Sequence, residues 1–217
     1  MTTLATSIQY DQLIKSTKEA NALGTTISLL HWDQEVMMPK KGIAFRSDQI
    51  SLTSRLHHEM VTDIKINDLL NACEEDNDLV GDASSETAAN IREIRHGYDR
   101  ATKLPTKLVE EEAMLSSRGQ SAWAEARKNN NFKDFQPWLE KIVNLLQRKA
   151  ECYGWAEGGE PWDALAEDYE PGCTAASVSE VFTPLRNRLQ TLLDEIMGSD
   201  TRPSNAFNEI ALPIDQQ

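Results

Sequence analysis

Apolar residues along this chain recur at steps of three, four or seven, and this spacing constrains the fold more than any other feature of the sequence. Residues at such steps fall on one side of an α-helix, whereas a half-buried strand alternates every second residue. A convincing two-residue alternation is not found along the chain. The first helical run consists of Ile8, Leu13, Ile14, Ala20, Leu23, Ile27 and Leu30. The sequence therefore predicts an all-α fold.

Breaks in the periodic pattern divide the chain into about seven or eight predicted helices, which form a single domain over residues 1–217. The breaks are proline, glycine and short polar side chains, which are typical of helix ends. The acidic segment "EEDNDLVGD" is predicted to be a solvated loop. The predicted helices run from Ile8 toward Pro39, over about 44–60, around 66–73, from Ser84 or Ser85 to Leu104, from Thr106 to "NNNF", from an Asp134 cap to Tyr153, from Pro161, and from a Thr174 cap onward.

Composition indicates a globular protein and argues against a nucleic-acid partner. Of 217 residues, 40% are hydrophobic and 26% are charged, which suits a chain that buries a core. The 22 lysines and arginines against 35 aspartates and glutamates give a net charge of -13, which repels a phosphate backbone. We therefore expect no nucleic-acid partner.

Targeting signals and cysteines favour a cytoplasmic location. The chain contains no run of about 20 apolar residues, so no membrane span is predicted. Its first residues lack the basic leader and apolar core of a signal peptide. Cys73, Cys152 and Cys173 are odd in number and lack CxxC spacing, which suits a reducing compartment.

The segment "HHEMVTD" comes closest to the HExxH motif of zinc peptidases. That motif needs two histidines four residues apart on one helix face, with a glutamate beside the first. Here Thr62 stands four residues after His58, and Val61 stands four after His57. We therefore interpret His57 and His58 as part of a polar, partly exposed helix face.

The segment "LLHWDQEVMMP" raises a second possibility of a metal site. His31 and Glu35 stand four apart and could share a metal if the helix continued, but Pro39 indicates that it is ending, and no third ligand is evident. The alternative is structural. Apolar side chains would fill a gap between two helices, and Asp33 and Glu35 would accept hydrogen bonds from backbone amides of the next turn. The apolar residues concerned are Trp32, Val36, Met37 and Met38.

Two further residues lack the partners that chemistry requires. His96 lies among arginines, which disfavour a bound cation and indicate a charged surface face with Glu93 and Asp99. Cys173 precedes a helix start, but no histidine near it in sequence suggests a base. We therefore assign no catalytic, cofactor-binding or metal-ligating residue in this chain.

Several ordered segments resemble the thermostable Taq-type metallocarboxypeptidase family. After "WDQEVMMP" the chain carries "ANIREIRHGYDRATKLP", "LVEEEAMLSSRGQSAWAEARKNNNFKDFQPWLEKIV", "ALAEDYEPG" and the terminal "LPIDQQ" in the family's order. The resemblance covers residues 8–217. Two positions depart from it, since His31 replaces a small residue and Trp162 stands where tyrosine is more usual.

The resemblance implies a mostly helical zinc enzyme that removes C-terminal residues from peptides in a cleft between helical walls. In a complete enzyme, zinc would be held by the two histidines of HExxH and a later glutamate. This sequence has no HExxH, so no ligand carries over and we expect no cofactor bound by this chain. The chain would form one wall of the cleft and be inactive alone.

Two functional hypotheses follow from this resemblance. In the first, the chain is the N-terminal portion of a metallocarboxypeptidase, with an exposed apolar face for a C-terminal catalytic half or for self-association, and it meets peptide substrate only in the complete enzyme. In the second, it is a free-standing helical binding or regulatory module that kept the scaffold and lost the chemistry.

Overall fold

The described part of the chain is built from helices without strands, so the all-α prediction is confirmed. The structure is a computed structural model that describes residues 2–201, Ser204 and Pro213, with side chains from Ile8 onward. The terminal "LPIDQQ" therefore lies, apart from Pro213, outside the described residues. The α-helices are α1 (Thr2–Val36), α2 (Ile43–Val61), α3 (Ile64–Glu74), α4 (Asn77–Val80), α5 (Glu86–Ala101), α6 (Thr106–Lys128), α7 (Phe132–Tyr153), α8 (Pro161–Ala166) and α9 (Ala175–Gly198).

Helix α1 continues past His31 to Val36, so the prediction that it is already ending at His31 is wrong. The backbone amides of Met37 and Met38 both donate to the Asp33 carbonyl, at 3.0 and 2.8 Å, and close the last turn. Pro39 lies three residues beyond this end of α1, and a 3₁₀ turn, Lys40–Gly42, leads into α2. A proline limits the residue before it, not a whole preceding turn.

Two predicted helix caps are confirmed. The Ser85 hydroxyl accepts from the Ala88 amide at 3.2 Å and begins α5. The Thr174 hydroxyl accepts from the Ser177 amide at 3.1 Å, while the Ser177 hydroxyl accepts from the Thr174 amide at 3.0 Å. This reciprocal pair satisfies two amides that a helix N-terminus otherwise leaves without a partner.

Two other local predictions are wrong. Helix α7 begins at Phe132, so Asp134 lies in its first turn instead of capping it. A carboxylate is favourable there too, because the helix dipole is positive at that end. The segment "EEDNDLVGD" contains the short helix α4, whose first turn is fixed by the Asp76 carboxylate accepting from the Asp78 amide at 2.9 Å.

The helices of the first part of the chain pack in the spatial order α7, α6, α2, α1, α3, α5. Helices α1, α3 and α5 enclose the main core, and partly buried side chains such as Tyr10 and Tyr98 pack against it. The fully packed residues of this core are Leu13, Ile66, Leu70, Cys73 and Ile91. This arrangement places the C-terminal end of α1 beside α2 and α6, where the candidate site lies.

The chain separates into two compact units, Met1–Leu165 and Ala166–Gln217. The second unit contains α9, which has no buried residue and runs through Pro184. That residues 1–217 behave as one domain stays a prediction. Within the described residues, no helix has both the length and the apolar character needed to cross a membrane.

Candidate functional site

Asp33 lies on the last turn of α1 and binds an arginine from α2. Its Oδ2 atom accepts from Arg46 Nη2 at 2.6 Å, and Arg46 Nη1 also donates to the Leu30 carbonyl at 2.7 Å. The Arg46 side chain is only 15% exposed, so the ion pair is partly shielded from water. The prediction that the Asp33 carboxylate accepts from backbone amides is wrong, because a guanidinium within reach makes a stronger, charge-assisted bond.

Gln34 enters a buried polar cluster between α1, α2 and α6. Ser117 Oγ donates to Gln34 Oε1 at 2.5 Å, and Gln34 Nε2 donates to the Ser117 carbonyl at 3.2 Å. Ser47 Oγ lies 3.0 Å from Ser117 Oγ and 2.8 Å from the Ile43 carbonyl. Ser47 Oγ donates to the Ile43 carbonyl, and either hydroxyl can be the donor between Ser47 and Ser117. The cluster fixes the position of the "DQE" residues.

Glu35 is exposed and lines an open cavity of about 540 Å³ between the end of α1 and α6. Lys40 Nζ bridges one side of the cavity to Glu125 Oε2 at 3.0 Å. This bond, together with one from Asn129, lowers the pKa of the Glu125 carboxyl below its usual range. The polar lining residues are Gln34, Glu35, Lys40, Gln120, Ser121 and Glu125. The cavity could bind a polar chain through amide and carboxylate groups, but it contains no nucleophile paired with a base.

The described residues contain no group of three histidine, cysteine, aspartate or glutamate side chains that could hold a metal ion. His31 and Glu35 lie one turn apart on α1, but two donors do not make a zinc site. The donors of the described part therefore do not fit zinc. That the chain binds no metal stays a prediction.

The apolar residues at the end of α1 were predicted to fill a gap between two helices. This prediction is wrong for Trp32, Val36 and Met37. Trp32 is 57% exposed, Met37 is 66% exposed, and Val36 is exposed as well. Only Met38 packs inward, against Gly42, where an added Cβ would lie 3.3 Å from Met38 Cγ. Arg46 and the Gln34 cluster fill the junction instead.

His57 and His58 have different environments. His58 is only 6% exposed, and its Nε2 lies 3.1 Å from the Leu104 carbonyl, which can only accept, so Nε2 carries the proton. The prediction of a polar, partly exposed face is therefore wrong for His58, which fastens α2 to the turn between α5 and α6. His57 is half-buried, and its burial, together with neighbouring His58, lowers its pKa. Glu59 pairs with Arg55 at 2.7 Å on the surface.

His96 is exposed, as predicted, and Arg95 pairs with Asp99 at 3.7 Å. A contact that was not predicted joins Arg95 to α3, where its guanidinium donates to Glu74, Asn67 and Asn71 at 2.7 to 2.9 Å. Those three residues follow a spacing of four and three, which places them on one face of α3. Cys173 is half-buried, with Ser177 Oγ at 3.9 Å.

Comparisons with known proteins show the family of this chain. The family model for the carboxypeptidase Taq (M32) metallopeptidases matches residues 12–217. Thermostable carboxypeptidase 1 of Thermus thermophilus is 35% identical over 215 residues, covering 96% of this chain and 42% of the relative. Thermostable carboxypeptidase 1 of Pyrococcus furiosus is 33% identical over 200 residues, covering 88% of this chain and 37% of the relative.

Solved structures show the same similarity. The crystal structure of BsuCP superposes with a TM-score of 0.87 at 25% identity, covering 96% of this chain and 41% of that one. Trypanosoma cruzi metallocarboxypeptidase 1 superposes with a TM-score of 0.68 at 29% identity, covering 94% of this chain and 40% of that one. This chain thus spans about two-fifths of the length of these relatives. On the match over residues 12–217, the chain belongs to the carboxypeptidase Taq (M32) metallopeptidase family.

Proposed function

We propose that this chain is the N-terminal portion of a metallocarboxypeptidase, forms one helical wall of its peptide-binding cleft, and is inactive alone. The observation that carries the proposal is the family match over residues 12–217. Relatives named carboxypeptidase are more than twice as long as this chain. The complete enzyme would hydrolyse the last peptide bond of a substrate. Zinc and the groups that activate water would come from outside this chain.

The role proposed for this chain is to hold a rigid wall in place. The Asp33–Arg46 ion pair and the Gln34–Ser117 hydrogen bonds join α1, α2 and α6 at the end of α1. Bonds between elements far apart in sequence fix their relative position more firmly than bonds within one helix. The polar cavity beside Glu35 and Lys40 is a candidate surface for a peptide backbone, which presents both donors and acceptors.

Two series of exposed apolar side chains support the proposal that a partner surface covers this chain. In the first unit, exposed apolar residues lie at helical spacing on α1 and on neighbouring α2: Leu29, Trp32, Val36, Phe45 and Leu52. In the second unit, α9 exposes a similar series: Val181, Phe182, Leu185, Leu189, Leu192, Leu193, Ile196 and Met197. Monomeric proteins rarely leave such series uncovered. We propose that a C-terminal catalytic half covers them, and that without it the chain self-associates.

The test combines metal analysis with an activity assay. Zinc content and release of the C-terminal amino acid from a blocked dipeptide are measured for the 217-residue chain alone and after a C-terminal half carrying HExxH is supplied. We expect no stoichiometric zinc and no turnover alone, and both after addition. Stoichiometric zinc and turnover by the chain alone would overturn the proposal.

The free-standing module is the second candidate. It is favoured by the complete buried core of the first unit, which requires no further chain to enclose Leu13 and Leu70. A chain that stays monomeric at high concentration and does not bind a supplied C-terminal half would support this function over the first.

A further inference from the structure

A second cavity lies among helices α1, α2, α3 and α5. Its volume is about 430 Å³, which is within the range of small-molecule sites. Its walls are mostly apolar, and the main contributors are Ala20, Met60, Val61, Ile66, Ile94 and Tyr98. The metallocarboxypeptidase proposal assigns no role to this cavity.

His57 is a half-buried polar group on the wall of this cavity. Its ring lines the wall, with the Nε2–Cδ2 edge against Gly24, where an added Cβ would lie 3.3 Å from Nε2. His57 makes no hydrogen bond to any residue that the structure describes, in contrast to His58. A half-buried imidazole without a partner can still donate one hydrogen bond and accept another.

Charge limits the kind of ligand that the cavity accepts. The lining has one formally charged side chain, Glu93, which is exposed and lies 3.6 Å from Arg92. With no cation on the wall, an anion would lose its hydration without gaining a partner. The polar lining residues Ser16, Thr17 and Asn21 are neutral.

We propose that this cavity binds a small uncharged molecule with an apolar ring body and one hydroxyl group, and that the hydroxyl bonds to His57. The apolar walls take the rings, and the imidazole satisfies the hydroxyl, which would otherwise be buried without a partner. The inference stands on the cavity and His57, not on any peptidase activity.

Gly97 offers a way to block the cavity without disturbing its walls. Gly97 lines the cavity on α5, and an added Cβ would meet nothing within 4 Å. A leucine at this position therefore extends into open space. The variant Gly97→Ala is the matched control, since it changes the same backbone position but fills little of the volume.

The experiment measures binding of 2-naphthol and of 2-naphthoate to the 217-residue chain by calorimetry at neutral pH. We expect 2-naphthol to bind with 1:1 stoichiometry and naphthoate to bind at least about tenfold more weakly, because its charge is desolvated without a partner. His57→Phe should weaken 2-naphthol binding about 2- to 10-fold through the lost hydrogen bond. Gly97→Leu should abolish it, and Gly97→Ala should bind like the parent chain.

Absence of 2-naphthol binding, or equal binding by Gly97→Leu and Gly97→Ala, would overturn the inference. So would loss of binding when a C-terminal half is supplied, since the cavity would then be covered by protein. Circular dichroism of each variant establishes that it is folded. The results with the chain alone do not bear on the carboxypeptidase proposal, because no peptide hydrolysis is measured and no C-terminal half is present.

Discussion

At the scale of single residues, the buried polar cluster of Gln34, Ser47 and Ser117 joins α1, α2 and α6 at the candidate site through a few hydrogen bonds. Ser47 and Ser117 are almost completely buried, so neither hydroxyl can turn to water. Each hydroxyl contacts the other, and Ser117 also donates to Gln34 Oε1 while Ser47 donates to the Ile43 carbonyl. Removing one member therefore leaves buried groups without a partner, which costs more than the net value of one hydrogen bond.

We expect Ser117→Ala to lower the free energy of unfolding by about 1–3 kcal/mol, because Gln34 Oε1 loses its donor inside the protein. Urea denaturation of the 217-residue chain measures the change. Ser116→Ala is the matched control, since Ser116 is exposed on the same helix, and it should change stability by no more than about 0.5 kcal/mol. Equal effects of the two substitutions would contradict the role of the cluster.

His57 makes stability depend on pH. Burial, followed by the nearby charge of His58, lowers the pKa of His57 in the folded chain below the ordinary value of 6.5. Between the folded-state pKa and 6.5, the unfolded chain binds more protons at this residue, so the free energy of unfolding rises with pH through that window. Acidification below 6.5 therefore destabilises the fold through His57.

We expect His57→Gln to lose less stability than the parent chain when the pH falls from about 7.5 to about 5.5, because glutamine does not titrate. Urea denaturation at both pH values tests this, and NMR titration of the imidazole protons gives the pKa directly. If the parent chain and the variant lose the same stability and His57 titrates at or above 6.5, the ring is not desolvated.

At the scale of elements, the start of α5 depends on one side chain. Ser84 and Ser85 are both suited to cap α5, and the structure assigns the cap to Ser85, whose hydroxyl accepts from the Ala88 amide. Ser84 instead donates to Asp82 at 2.6 Å in the preceding turn. Two adjacent, identical side chains thus have different roles.

We expect Ser85→Ala to lower the free energy of unfolding by about 1 kcal/mol, because the helix loses its N-terminal acceptor. Ser84→Ala, the matched control, should cost less than about 0.5 kcal/mol, since the hydroxyl is exposed. Thermal or urea unfolding of both variants decides between the two. A larger effect of Ser84→Ala would place the cap one residue earlier.

At the scale of the whole molecule, the three cysteines report on different parts of the fold. Cys73 is fully buried in the core of α1, α3 and α5, and its burial, followed by the charges of Asp76 and Glu74, raises the pKa of the thiol. Cys152 and Cys173 are half-buried. A thiol reacts through its thiolate, so both access and pKa protect Cys73.

We expect Cys73 to react with iodoacetamide at least about tenfold more slowly than Cys152 or Cys173 in the native chain, because it is exposed only when the core opens. In urea, all three cysteines should react at similar rates. Mass spectrometry of peptides after timed alkylation gives the three rates. Equal native rates would mean that the first unit opens readily without its proposed partner.

Helix positions were largely predictable because their signals are local. Ser85 and Thr174 each cap amides within three residues, so sequence neighbours carry the information. Asp134 shows the limit, because a carboxylate is favourable at several positions of a helix start and its presence does not identify the first residue. The family resemblance was predictable for the same reason, since it rests on short ordered segments.

The contacts of the candidate site were not predictable, because they join residues far apart in the chain. Gln34 and Ser117 are 83 residues apart, and His58 and Leu104 are 46 apart. The spacing of apolar residues along the chain therefore does not predict either bond. The sequence by itself determined most of the helices, the caps at Ser85 and Thr174, and the family to which the chain belongs, since these depend on local spacing and short motifs. Only the tertiary structure decided that His58 is buried, that Trp32 is exposed and that Asp33 binds Arg46, because burial and pairing are set by which helices pack together.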